Sequence, residues 1–180
     1  IDPRAKVVAF VGRLAADKGV AELAAAWRAL RRDAHLLVVG PDDPTDPVDA
    51  ATRAALAGDP RVHVLGDRAE VAPIYAAADL VVLPSRREGL ANVLLEAGAM
   101  ARPAIATDIP GCVDVIVRDV TGALVAPGVA AALAGAIARY LDDDELRARH
   151  GAAARARVAR DFRMTDVWQR VAEAYESLLR

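Results

Sequence analysis

Six short, almost wholly apolar runs punctuate the chain: Val7–Val11, Leu36–Val39, Val62–Leu65, Leu80–Leu83, Ala104–Ala106 and Ala123–Val125. Apolar runs this short and this uniform are the pattern of parallel strands covered on both faces. Between them lie stretches of helical period at Val20–Arg32, Val48–Ala57, Val71–Ala78 and Asn92–Met100, with a weaker one after Gly111. From Val129 onward the pattern is helical throughout, over Val129–Leu141, Glu145–Arg160 and Thr165–Leu179. The acidic cluster Asp142–Asp144 stands where it can cap the second of these. Strands end in Gly, Pro or Asp (Gly12, Gly40-Pro41, Gly66-Asp67, Pro84-Ser85), the turn chemistry of strand-to-helix loops. Strict alternation of strand and helix predicts an α/β fold: a Rossmann-like, doubly wound parallel sheet of about six strands with helices on both faces. No internal linker interrupts residues 1–180, so a single domain is expected.

In such sheets ligands meet the carboxyl ends of the strands, where loops lead into helix N-termini. The segments after Val11, Val39, Leu65, Leu83 and Ala106 are therefore the places to look for chemistry. Composition narrows the classes. With 23 Lys+Arg against 25 Asp+Glu the net charge is −2, which removes the electrostatic footprint of a general nucleic-acid binder. A single cysteine, Cys112, excludes an intramolecular disulfide and fits a reducing, cytoplasmic setting. No apolar run approaches the roughly 20 residues of a membrane span. The chain opens at Ile1 in a polar segment without a signal peptide, which reads as a fragment of a longer protein. Aromatics are 4% and alanines number 42, so the core is built from Ala, Val and Leu. The abundance of Ala and Arg suggests a GC-rich bacterial source.

Two loops carry unusual chemistry. Gly12-Arg13-Leu14-Ala15-Ala16-Asp17-Lys18-Gly19 joins a strand to a helix. Its glycines permit a close approach of backbone to ligand, and Arg13 and Lys18 place two cations beside a helix N-terminus. The chain has 21 arginines and only two lysines, so Lys18 departs from its habit. The arrangement suits a diphosphate; a plain loop with two solvated cations would read the same way. Neither a Walker loop nor G-x-G-x-x-G is present. The second loop, Pro84-Ser85-Arg86-Arg87-Glu88-Gly89-Leu90-Ala91-Asn92, enters a helix that continues to Glu96 and Ala97. If the eight residues from Glu88 to Glu96 were fully helical they would span about 12 Å. That is close to the separation of ribose and sugar in a nucleotide-sugar, with backbone N–H groups of Gly89 to Asn92 left for the phosphates. Taken singly, Glu88 would serve as a first-turn dipole partner and Glu96 as a solvated helix position.

Read in order, GRLAADKG, PSRREGLANVLLEAGAMARPAIATDIPG and TGALV resemble the retaining glycosyltransferases of family 4. The likeness is to the C-terminal, donor-binding half of their two-domain GT-B fold, and it runs from about Val7 to Leu179. It implies that Arg13 and Lys18 bind the donor diphosphate, Glu96 the ribose hydroxyls and Glu88 the transferred sugar. Gly12, Gly89, Leu90, Ala91 and Asn92 would add backbone contacts, and Gly66-Asp67-Arg68 would meet the base through Arg68. Charge neutralisation by Arg13 and Lys18 would replace a divalent cation, so no metal or other cofactor is implied. The substrate implied is a nucleoside-diphosphate sugar, UDP-linked first and GDP next. A missing N-terminal domain would hold the acceptor, and a lipid-linked acceptor would bring the whole protein to the inner face of the membrane, in cell-surface polysaccharide or glycolipid assembly. The isolated fragment is expected to be inactive. Two departures stand out: Asp114 occupies a position usually held by glutamate, and Val129 one commonly acidic.

Two other functions share these residues, a non-catalytic nucleotide-sugar-binding module and a sugar-nucleotide epimerase of the same fold. Asp42-Asp43 reads as a solvated turn rather than a metal site. His35, His63 and His150 show no ligand spacing, and Cys112 has no marker of a nucleophile. The arginines at 147, 149, 155, 157 and 160 read as a solvated helical face. Phe162, Trp168 and Tyr175 gather aromatic surface in the last helix, either packed on this domain or exposed by loss of a neighbouring one.

Overall fold

A computed structural model describes residues 1–2 and 4–179. The strands are β1 (Lys6–Val11), β2 (Ala34–Val39), β3 (Val62–Gly66), β4 (Leu80–Leu83), β5 (Ala104–Thr107) and β6 (Gly122–Val125). They form one sheet in the order β3-β2-β1-β4-β5-β6, every neighbouring pair parallel. The helices are α1 (Val20–Ala29), α2 (Ala50–Ala57), α3 (Ala72–Ala77), α4 (Asn92–Ala99), α5 (Ala130–Asp142), α6 (Asp144–Asp161) and α7 (Met164–Leu178). The expected doubly wound architecture is present, and the winding reverses between β1 and β4. Alternate strand residues feed two cores. Val8, Phe10, Leu36 and Val82 pack with Trp27 of α1 and Ile137 of α5 on one face. Val11, Val39, Val81 and Leu83 pack with Tyr75 of α3 and Leu94 of α4 on the other. Alanine keeps these layers thin, and Gly151 lets α6 close on the turn after α4, since a Cβ there would lie 2.2 Å from the Ala101 carbonyl oxygen.

Most helix boundaries differ from the periodicity by a residue; two depart for a local reason and one expected helix is absent. α1 stops at Ala29 rather than Arg32, because Leu30 turns extended to enter the loop before β2. α2 begins only after Asp49, whose carboxylate accepts from the Thr52 N–H, so Val48 lies outside. The stretch after Gly111 forms turns instead of a helix. Gly111 has φ +82°, and its N–H is drawn to Asp114 Oδ2 at 3.1 Å. Asp143 caps α6 through the Leu146 N–H, within the cluster expected to do so.

The arginine-rich helix is not uniformly solvated. Arg147 is buried and donates to the carbonyls of Tyr140 and Leu141, closing the end of α5. Arg157 donates to the carbonyls of Asp114 and Val115. A helix face read from sequence as water-facing instead satisfies orphan carbonyls of neighbouring elements. His150 is also buried, sharing a 2.8 Å hydrogen bond with the Tyr140 hydroxyl. On α7, Trp168 and Tyr175 are exposed, whereas Phe162 lies under the Arg157 guanidinium.

Two predictions follow from packing and burial. A methyl at Gly19 would meet the Pro84 carbonyl oxygen at 2.0 Å, and φ there is +69°. Gly19→Ala should cost about 1–3 kcal/mol in urea unfolding. Burial holds His150, and to a lesser depth His63, below the ordinary imidazole value of 6.5. The unfolded chain then binds more protons once pH falls through 6.5, so stability is complete above that point and declines below it. Unfolding curves between about pH 7.5 and pH 5 should show this slope, and His150→Gln should flatten it.

Candidate functional site

The reversal of winding separates the loop that leaves β1 from the loop that leaves β4 and opens a crevice at their carboxyl ends. The two chemistry-bearing loops flank this crevice. After β1, Gly12 to Ala15 leads into a short 3-10 turn, Ala16–Lys18, and Gly19 starts α1. After β4, Pro84 to Ala91 leads into α4. The loops are locked together by backbone: the Arg86 N–H donates to the Asp17 carbonyl at 2.8 Å, and Gly19 abuts Pro84. A third loop, after β5, joins them. A Cβ on Gly111 would lie 2.6 Å from the Gly89 carbonyl oxygen, so only glycine lets that turn reach the second loop.

This bracing brings Lys18 to Glu88, Nζ to Oε1 2.7 Å, with both side chains largely shielded from solvent. Gly12, Lys18, Glu88, Leu90 and Asn92 line a small recess of about 190 Å³ at the start of α4. No side chain caps α4, so its positive dipole end is left beside this recess, while the Asn92 and Leu94 N–H groups donate to the Leu90 and Ala91 carbonyls, each at 2.9 Å. Arg13 stands on the other flank of the first loop and pairs with Asp43. Asp43 is buried, and its second oxygen accepts from the Thr45 N–H at 2.9 Å and hydroxyl at 2.6 Å. The expectation of a solvated turn at Asp42-Asp43 is therefore corrected for Asp43, which anchors Arg13 beside the crevice. Asp42 does remain at the surface, paired with Arg53.

The interval from Glu88 to Glu96 is only half helical, because α4 begins at Asn92. Glu88 is a loop residue beside Lys18, and Glu96 lies on an exposed part of α4, where its Oε2 accepts from the Tyr75 hydroxyl at 2.7 Å. Gly89, Leu90 and Asn92 are exposed at the entry to the helix, with Ala91 buried beneath them. Arg68 lies exposed beyond the end of β3, the outermost strand. Three strand spacings, about 14 Å, separate β3 from β4, and Arg68 is not brought against the other residues. Asp114 pins its own turn at Gly111, and Val129 stands exposed before α5. Asp43 and Tyr75 escaped the sequence reading because each acts through a partner distant in the chain, and no local motif marks such a pair.

Other candidates take structural roles. His35 Nδ1 and His63 Nε2 meet at 3.0 Å across β2 and β3, a contact that their sequence spacing did not suggest. Among the described residues, no three His, Cys, Asp or Glu side chains gather as metal ligands, and no helix is long and apolar enough to cross a membrane. Cys112 is fully buried in the core beneath α4. Burial, with the nearby Glu88 charge, pushes its thiol up to about 11.

Comparison with known proteins places this geometry. The pattern of the family described as "Glycosyl transferases group 1" matches residues 5–143. The chain belongs to this family. Group 1 relatives include the capsular polysaccharide biosynthesis glycosyltransferase CapM of Staphylococcus aureus, 29% identical over 97% of this chain and 47% of its own length. Anabaena HepE, solved in complex with UDP and glucose, superposes with a TM-score of 0.89 at 27% identity, over 96% of this chain and 48% of that one. The C-terminal domain of a Francisella tularensis group 1 protein, LpcC, superposes with a TM-score of 0.75 at 25% identity, covering 88% of this chain and 87% of that domain. The group 1 chain described here thus spans about half the length of the curated relatives it matches. It has the Rossmann-like architecture of one half of a GT-B glycosyltransferase.

The thiol offers a direct check on the packing beneath the site. Iodoacetamide at about pH 8 should modify Cys112 only as fast as the chain opens, and rapidly once urea unfolds it.

Proposed function

We propose that this chain is the donor-binding domain of a retaining family-4 glycosyltransferase, which transfers a hexosyl residue from a nucleoside-diphosphate sugar. The observation that carries the reading is the meeting of Lys18, Glu88 and the uncapped start of α4 at the switch point between β1 and β4. Lys18 and Arg13 supply counter-charge for a diphosphate, and the positive dipole end of α4 lies beside its oxygens. Glu88 accepts from hydroxyls of the transferred sugar, Glu96 from those of the ribose, and Arg68 borders the base. Negative charge that develops on the departing diphosphate falls beside two fixed cations, so the reading calls for no divalent metal and no cofactor. The solved complex of HepE with UDP favours a uridine donor.

The acceptor belongs to a second, N-terminal domain that would cover the open side of the crevice. Similarity to CapM supports a role in cell-surface polysaccharide or glycolipid assembly, with the complete enzyme cytoplasmic and peripheral at the inner membrane face.

Titration with UDP, GDP and ADP, followed by NMR, tests the assignment. UDP should perturb residues 12–19 and 88–96, and added EDTA should leave the affinity unchanged. Lys18→Ala should weaken UDP about tenfold, the loss of one charge-assisted contact. In the complete enzyme the same change should lower kcat by about 10²–10³. Perturbation confined to other loops would overturn the site.

A further inference from the structure

Glu96 stands out because an exposed carboxylate on a surface helix is held by a buried donor. Tyr75 is 1% exposed, its ring packed in the core between the sheet and α4. Its hydroxyl donates to Glu96 Oε2 at 2.7 Å across 21 positions of sequence. Burial, followed by the carboxylate itself, drives the phenol pKa far above its ordinary value, so the proton stays on the donor. α3 is fixed in turn at its C-terminal end, where the Arg102 guanidinium donates to the Ala76 carbonyl at 2.8 Å. The tyrosine is therefore a rigid post rather than a surface partner.

We infer that Tyr75 is the positioning residue for Glu96, and that this pair sets the preference for ribonucleotide over deoxyribonucleotide donors. The inference rests on the reading of Glu96 as the ribose-facing carboxylate. A glutamate on an exposed helix face samples several rotamers and loses that freedom when a ligand fixes it. A carboxylate offers about four acceptor positions, and the phenol occupies one of them. The remaining positions are held at a fixed separation, which suits two vicinal hydroxyls of a cis diol. Removing one hydroxyl leaves one preset acceptor unmatched, and the preference arises from that mismatch. Where α3 follows the Gly66-Asp67-Arg68 loop, the same post ties the carboxylate to the segment proposed to border the base.

The test compares UDP with 2′-deoxy-UDP on wild type, Tyr75→Phe and Glu96→Gln, by calorimetry or NMR titration. Tyr75→Phe keeps the ring and its packing and removes only the donor, so the unfolding midpoint serves as a control. It should weaken UDP by about three- to tenfold, as expected for one hydrogen bond to a charged group. Binding of 2′-deoxy-UDP should change less, so the ratio between the nucleotides narrows. Glu96→Gln should narrow it further, and the double variant should be no weaker than Glu96→Gln alone, since both changes break one unit. An unchanged ratio in Tyr75→Phe, with the ratio lost in Glu96→Gln, overturns the role of Tyr75 and leaves the Glu96 reading standing. Equal weakening of both nucleotides by Tyr75→Phe overturns it as well, marking a packing effect. A wild-type ratio in Glu96→Gln, or no binding of either nucleotide at about 10 mM, sinks the Glu96 reading and this inference with it.

Discussion

The reversal of strand order between β1 and β4 is the constraint on which the rest of the molecule depends. Elsewhere in a parallel sheet, successive strand-to-helix loops turn toward the same side and cover one another. At the reversal they turn to opposite faces, and a crevice opens that no side chain has to be carved away to make. Each wall carries its own chemistry: two cations after β1, a carboxylate and a helix start with no side-chain cap after β4. Placement of the site is thus a property of topology, and the residues decide only what it holds.

Holding those walls in register falls to close backbone contacts, with the side-chain pairs Arg86–Glu22 and Arg87–Asp17 beside them. The Arg86 N–H on the Asp17 carbonyl, Gly19 against Pro84, and Gly111 against Gly89 are contacts a side chain would break or crowd. They leave Lys18 and Glu88 facing one another at 2.7 Å, both largely shielded from solvent. Around them the thin, alanine-rich helices bring the layers close, and the buried Arg147 occupies carbonyls that the end of α5 would otherwise strand.

Much of this was legible in the residues. All six strands and the alternation of helices followed from apolar periodicity: β1, β2, β4 and β5 are buried on both faces, and the half-buried edge strand β3 keeps an apolar run although Val64 is exposed. The loops of the candidate site were legible for a different reason: glycine spacing and charge are local signals. What escaped was the set of contacts made over long separations. Asp43 looked like a solvated turn residue, yet it is buried against Thr45 and Arg13. Tyr75 carried no signal in the sequence; it is a core residue whose hydroxyl reaches Glu96. The segment after Gly111 read as weakly helical because turns and short helices share composition, and the deciding feature is a left-handed glycine with Asp114 folded back on it.

Both cations beside the crevice already have an anionic partner, Lys18 in Glu88 and Arg13 in Asp43. A ligand arriving there does not meet bare positive charge; it exchanges places with carboxylates that the fold itself provides. Such a resting state is close to electrically silent, and it handicaps small monovalent anions. Chloride or acetate would compete for one cation at a time, whereas the diphosphate of the proposed donor would engage both and recover the two exchanges in a single event. On the proposed reading, internal pairing would act as a filter on ligand valence, set against simple anions before any hydroxyl or base is inspected.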